Sequence, residues 1–296
     1  MSLLIRRVLL CALGAIGGLA AWPAMEALLS AQVSFPSYLS FSLASGLVFG
    51  VVFGAFFGSA DGIVVGRWSR IGIGVAVGAA IGAVGGLVGF LIAQSVFLVI
   101  GESITRSEAA LRSWGVPVSR AVGWAILGVF VGAAGGVRSL SPRKILIGVI
   151  GGLIGGAAGG AILEFVRAAY PSFGGASLIG LVVVGLSIGA AYAIVEKRLS
   201  FGVLRLLNGV YKGKEYILNQ RKMSIGSASG CDIVLTGYRN VEPVHARLLG
   251  RGTELTIASG TPGRMVTVND QELAGRVLKY EDVVKIGSAR LFFKHE

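Results

Sequence analysis

The chain has 296 residues, 54% hydrophobic and only 14% charged, with 47 glycines, a mean hydropathy of +0.77 and a net charge of +12. Soluble globular chains carry about 25% charged residues, so this composition excludes a wholly soluble protein. Residues 1–200 hold 13 Lys/Arg and 6 Asp/Glu, whereas residues 201–296 hold 14 and 9, which separates a membrane domain at 1–199 from a soluble domain at 200–296.

Apolar runs able to cross a hydrocarbon core of about 30 Å fall at 8–29, 40–63, 71–100, 119–137, 145–165 and 176–195, which predicts six spans. The first run, with Arg6 and Arg7 before it and Ala24-Met25-Glu26-Ala27 near its end, also fits a signal peptide. Cleavage there would leave five spans with residue 200 on the same side. Alternate loops are basic: Arg6 and Arg7, then Arg67 and Arg70, then Arg138, Arg143 and Lys144, then Lys197 and Arg198. Lys/Arg-rich loops stay on the cytoplasmic face, so the tail is expected there, beneath a plasma (inner) membrane of bacterial type. Segment 102–120 breaks the alternation with Arg106, Arg112, Arg120, Glu102 and Glu108; Trp114 and Leu111 suggest a short amphipathic helix lying at the interface. The positive charge is that of basic loops beside an anionic leaflet, and no nucleic acid is expected.

Glycine recurs every fourth residue from Gly46 through Gly50, Gly54, Gly58 and Gly62 to Gly66, and again at Gly74, Gly78, Gly82 and Gly86. The pattern returns at Gly128, Gly132 and Gly136, then at Gly148, Gly152, Gly156 and Gly160. Offsets of 78 for the first set and 74 for the second read as a duplicated helical hairpin whose connecting loop is four residues shorter in the second copy. The copies are parallel, so their axis is expected along the bilayer normal. A four-residue stripe gains about 40° per step on a straight helix and holds a neighbour through right-handed wrapping, while glycine lets backbones touch. These stripes are expected to pack helix on helix. Glu26, Asp61 and Glu164 lie near span ends and no proline interrupts the hairpins, so the sequence offers no mid-membrane site for a transported solute.

Gly185-Leu186-Ser187-Ile188-Gly189 has the spelling of a serine-hydrolase elbow, but it lies within a predicted span, and both histidines, His245 and His295, belong to the tail. No Walker loop, metal-spaced Cys/His set or dinucleotide fingerprint occurs, so neither an enzyme nor a cofactor nor a metal is expected. Cys11 sits in the first span and Cys231 in the tail, which argues for a reducing compartment around the tail and no disulfide.

Beyond Arg198 the pattern changes to short β-branched runs at 203–207, 215–218, 222–225, 232–235, 246–249, 254–258, 265–268, 283–286 and 290–293, which predicts a β-sandwich. Met223-Ser224-Ile225-Gly226, Cys231-Asp232-Ile233-Val234-Leu235, His245-Ala246-Arg247-Leu248, Val268-Asn269 and Asp282-Val283-Val284-Lys285-Ile286-Gly287 follow in an order that resembles a forkhead-associated (FHA) domain. That resemblance implies an eleven-stranded sandwich whose loops at one end bind phosphothreonine peptides, usually beside Ser/Thr protein kinases.

The departures fall on the phosphate ligands. Where the family carries arginine and serine, this chain has Ser227 and Glu242; Arg264 stands for an expected asparagine and Asp270 for the glycine after Asn269. At ~5 Å and an effective dielectric of ~40, Glu242 would repel a phosphate by about 3 kcal/mol before screening. Ser227, Arg239, Asn240, Glu242, His245, Arg247, Arg264 and Asn269 are therefore the candidate residues of a degenerate phosphopeptide surface. Arg239 and Arg247 are its substitute cations or plain surface arginines, the resemblance implies that His245 braces the loop from within, and Asn269 is expected to form a turn with Asp270. The expected function is a membrane-anchored adaptor that docks a cytoplasmic protein linked to a Ser/Thr kinase, alone or as a homo-oligomer. The alternative is a channel or transporter regulated by the tail.

Overall fold

The computed structural model describes residues 3–66, 68–103, 114–170, 175–252, 254–260 and 265–295. They form two compact units, residues 6–196 and residues 1–5 with 197–296.

Six helices make the first unit: α1 (Leu3–Ser30), α2 (Tyr38–Val65), α3 (Trp68–Ser103), α4 (Val116–Arg138), α5 (Pro142–Ala169) and α6 (Ala176–Leu199). Each is long and apolar enough to cross a membrane. Side-chain caps set two of the starts. Ser37 accepts the amide of Ser40 in a capping box before α2, and Ser141 accepts the amide of Lys144 before α5, where Pro142 fills a first-turn position that needs no amide. Segment 104–113, which holds most of the expected interfacial helix, lies outside the described residues. Arg120, assigned to that helix by the sequence, instead belongs to α4.

The stripes of α2 and α3 meet. A Cβ on Gly50, Gly54 or Gly58 would overlap the carbonyl oxygen of Gly82, Gly78 or Gly74 respectively. In the second hairpin Gly128 abuts Gly152 and Gly132 abuts Gly148, while Gly136 abuts Ile145 as Gly62 abuts Ile71. Contacts of this closeness leave room for no side chain, and backbone-to-backbone dispersion holds the pairs. These pairings correct the expected alignment of the repeats. Gly54 corresponds to Gly128, Gly58 to Gly132 and Gly62 to Gly136, so one offset of 74 serves both helices and the connecting turns have equal length. The turns agree, because Gly66 and Leu140, also 74 apart, both take left-handed backbone (φ 71° and 49°). The same register puts Arg120 opposite Gly46 of the first copy and Trp124 opposite Gly50. Gly156 therefore rests on the Trp124 backbone and Gly160 on its side chain, so the glycine pairing, which continues through Gly46 and Gly86 in the first hairpin, ends two steps earlier in the second.

α1 and α6 flank the repeat and touch each other, Gly14 on Gly185 and Gly18 on Leu181, while Gly151, Gly155 and Gly159 of α5 pack on α6. The Gly-x-Ser-x-Gly spelling at 185–189 is thus part of a helix-packing surface, without the strand-to-helix turn a nucleophile requires.

The second unit is a sandwich of eleven strands: β1 (Val203–Leu206), β2 (Glu215–Ile217), β3 (Lys222–Gly226), β4 (Ile233–Val234), β5 (Ala246–Arg251), β6 (Glu254–Ser259), β7 (Val266–Val268), β8 (Gln271–Leu273), β9 (Gly275–Val277), β10 (Val283–Ile286) and β11 (Ala289–Lys294). One sheet runs β2-β1-β11-β10-β7-β8 and the other β4-β3-β5-β6-β9, and β3 and β4 form a parallel pair. Alternation of buried and exposed residues along β3, β5 and β6 sends Met223, Ile225, Leu248 and Ile257 into the shared core against Leu204, Val284 and Leu291. The nine predicted strands omit β8 and β9, which are three residues each and mostly exposed, so they carry no apolar signal.

Candidate functional site

In the tail, Gly226 ends β3 where a Cβ would overlap the carbonyl oxygen of Pro243, so only glycine fits. This close approach clips two loops together: the Ser227 amide donates to Glu242 O at 2.9 Å and the Ala228 amide to Pro243 O at 3.1 Å. The buried Cys231 thiol also donates to Pro243 O, at 3.1 Å. The fold therefore brings Ser227 and Glu242 side by side. His245, 8% exposed, lies beneath them and its Nδ1 accepts the Glu242 amide at 3.3 Å, a brace and not a surface ligand. Its carbonyl accepts from Gly260, which draws the end of β6 to the same edge.

Arg239 and Asn240 are exposed on the loop between β4 and β5. The Arg239 amide and carbonyl clasp Ser288 of the β10–β11 turn, the amide donating to Ser288 Oγ and the carbonyl accepting from the Ser288 amide, each at 2.9 Å. Arg247 is exposed on β5, paired with Ser224 of β3, and Arg264 lies outside the described residues. Asn269 and Asp270 have φ of 51° and 61° and form the two-residue turn between β7 and β8. The Asn269 side chain turns inward, donating to Asp282 Oδ1 at 2.7 Å and accepting the Val283 amide at 2.8 Å, so it is structural.

The sequence reading missed Asn208. Its Oδ1 accepts the Arg290 amide, its Nδ2 donates to Ser288 O and its carbonyl accepts the Tyr238 hydroxyl at 2.6 Å, which laces three loops at one edge. The Asn208-Gly209 pair was the available signal, a turn dipeptide between two predicted strands. Beside it Lys214 Nζ stands 5.3 Å from the Tyr211 ring centre and 5.0 Å from that of Tyr216. Burial, with Tyr238 and Tyr211 nearby, pushes the Tyr216 phenol up to about 12, and burial lowers Lys214.

The eleven strands in two sheets, with the first motif on β3, the histidine at the start of β5 and the asparagine at the β7 turn, decide the assignment. The tail has an FHA fold. Its residues 205–296 match the family model described as the inner membrane component of T3SS, cytoplasmic domain (Yop-YscD). The match covers the FHA-like tail alone. Similar solved structures include an FHA domain analysed for phosphothreonine-dependent interactions (22% identity, covering 33% of this chain and 97% of that one, TM-score 0.30). Another is the FHA domain of CT664 from Chlamydia trachomatis (21% identity, 32% and 96%, TM-score 0.29). A third is the cytoplasmic domain of the T3SS sorting platform protein PscD from P. aeruginosa (22% identity, 31% and 78%, TM-score 0.29). A comparison with curated proteins finds no match.

The helical unit carries polar structure of its own. At the end from which residue 200 leaves, Arg6 forks onto Glu196 (Nη2–Oε1 2.9 Å, Nε–Oε2 3.1 Å) and reaches Asp61 at 3.5 Å, while Lys144 reaches Asp61 at 3.4 Å. Arg6 and Lys144, read from the sequence as topology signals, are thus also ion-pair partners. At the opposite end Glu164, 4% exposed, accepts from Trp124 Nε1 at 3.1 Å and from Arg120 at 3.2 Å, with Arg167 3.9 Å away. These groups line a cavity of about 390 Å³ between the two hairpins, walled elsewhere by Phe49, Phe90 and Ala93. The sequence placed Asp61 and Glu164 near span ends and offered no mid-membrane solute site; their ion pairing was not legible there. Glu164 is near a span end, as its position in the sequence says, but the structure buries it beside a cavity.

Proposed function

We propose that this chain is a membrane-anchored docking protein, held in a bacterial inner membrane by six spans, whose FHA-like tail recruits a cytoplasmic protein without requiring phosphate. The observation that carries the reading is the clipped pair at the loop edge. The Ser227 amide is bonded to the Glu242 carbonyl where the resemblance calls for a guanidinium and a hydroxyl, so neither side chain of the clipped pair is one of the phosphate ligands that the resemblance implies. The match of residues 205–296 to a cytoplasmic domain of an inner membrane component supports the placement, as do the basic loops. The inferred role is recruitment and not catalysis, and the kinase link is retained as the partner's context. The deciding experiment is capture of partners by residues 197–296, with and without kinase treatment of the lysate, which is expected to recover the same protein in both.

Two further results are expected. The tail binds phosphothreonine peptides no better than about millimolar, near −4 kcal/mol, and Ser227→Arg with Glu242→Ser tightens binding by several kcal/mol, because a repulsion goes and a charge-assisted bond of about 1.5 to 3 kcal/mol appears. Titration calorimetry on a phosphothreonine library measures both, and micromolar binding by the unaltered tail would make it a phosphorylation reader. Reporter fusions at residue 200 are expected to be active for a cytoplasmic enzyme and silent for a periplasmic phosphatase; the reverse pattern would invert the topology.

The cavity between the hairpins favours one second reading, a channel or transporter regulated by the tail. Solute flux in reconstituted vesicles separates it from an anchor.

A further inference from the structure

The corrected repeat register shows what the cavity is made of. Its walls include five pairs of positions 74 residues apart: Ser42 with Val116, Ser45 with Ser119, Phe49 with Gly123, Phe90 with Glu164 and Ala93 with Arg167. Equivalent positions of the two copies therefore line one space, and four of the five pairs differ in chemistry. The first copy presents a phenylalanine and an alanine where the second presents a carboxylate and a guanidinium. Trp124 and Arg120, which stand where the first hairpin has Gly50 and Gly46, supply part of its lining from the second copy.

We propose that this cavity binds one anionic phospholipid, its phosphodiester at Arg167 and an acyl chain along Phe49, Phe90 and Ala93. Among the described residues that line the cavity, two guanidiniums face one carboxylate, an excess of one positive charge that an anionic ligand would neutralise. Glu164 is already served by Arg120 at 3.2 Å and by Trp124 at 3.1 Å, so Arg167, at 3.9 Å, is the least engaged of the three partners. A phosphodiester carries one negative charge and suits a guanidinium fork. A polar free anion would leave the phenylalanine wall unused, whereas an amphiphile covers both walls. The site is independent of what the tail recruits.

Native mass spectrometry of the full chain in neutral detergent tests this with phosphatidylglycerol, phosphatidylcholine and inorganic phosphate as probes. Phosphatidylglycerol is expected to be retained at least tenfold more tightly than phosphatidylcholine, one molecule per chain, and not to be displaced by millimolar phosphate. Arg167→Gln leaves the Arg120–Glu164 pair in place and is expected to remove the preference. Ser42→Phe, which fills the cavity from the first hairpin, is expected to reduce retention of either lipid. Equal retention of the two lipids, displacement by phosphate, or an unchanged preference in Arg167→Gln with the melting temperature of the lipid-free chain preserved would each overturn the proposal.

Discussion

Arg6→Leu should destabilise the helical unit by about 3 to 5 kcal/mol, the loss expected when one member of a buried ion pair is removed. Glu196, the group left behind, is 2% exposed and receives two bonds from the Arg6 guanidinium, at 2.9 and 3.1 Å. Asp61 suffers less because Lys144 still faces it at 3.4 Å. Replacing both partners, Arg6→Leu with Glu196→Leu, should return most of the stability, since the buried carboxylate that lost its guanidinium is then removed as well. Thermal unfolding in detergent measures the three proteins, with the single variant lowest. A single variant as stable as the parent would mean that water reaches Glu196 and that the pair does not tie α1 to α6.

The second large effect belongs to the glycine stripes. Gly54→Leu and Gly132→Leu occupy the same kind of place in the two hairpins, each with its Cβ directed at a backbone carbonyl oxygen, of Gly78 and Gly148 respectively. A backbone atom cannot swing aside as a side chain can, so the helices must separate along the stripe. The cost is expected at roughly 1 to 3 kcal/mol or above for each. Gly72→Leu is the internal control, because nothing lies within 4 Å of a Cβ there. Melting curves should show both stripe variants well below the parent and Gly72→Leu close to it. If all three melt together, the stripes do not hold the hairpins.

The charge arithmetic of the two halves, the six apolar runs and the change to two-residue periodicity after Arg198 were enough for the architecture, because each is a local pattern that a helix or strand must satisfy wherever it packs. The motif order from Met223 to Gly287 was enough for the sandwich, and the turn chemistry of Asn269-Asp270 was legible because left-handed backbone is a property of the residue itself. The bracing role of His245 was legible only through the resemblance.

Tertiary structure decided the rest. A stripe that repeats every four residues looks the same after a slip of four, so Gly50, Gly54 and Gly58 could be matched to Gly128, Gly132 and Gly136 in sequence. Only their contacts with α3 and α5 show that the match begins at Gly54. The ion pairs were hidden for a different reason. Arg6 meets Glu196 across 190 positions, Lys144 meets Asp61 across 83 and Arg120 meets Glu164 across 44, and no local pattern records a partner at such separations. The cavity was hidden as well, since its lining joins residues of several helices, among them the tryptophan and the arginine that interrupt the second stripe. Until the register places Trp124 and Arg120 opposite Gly50 and Gly46, they read as ordinary members of a span.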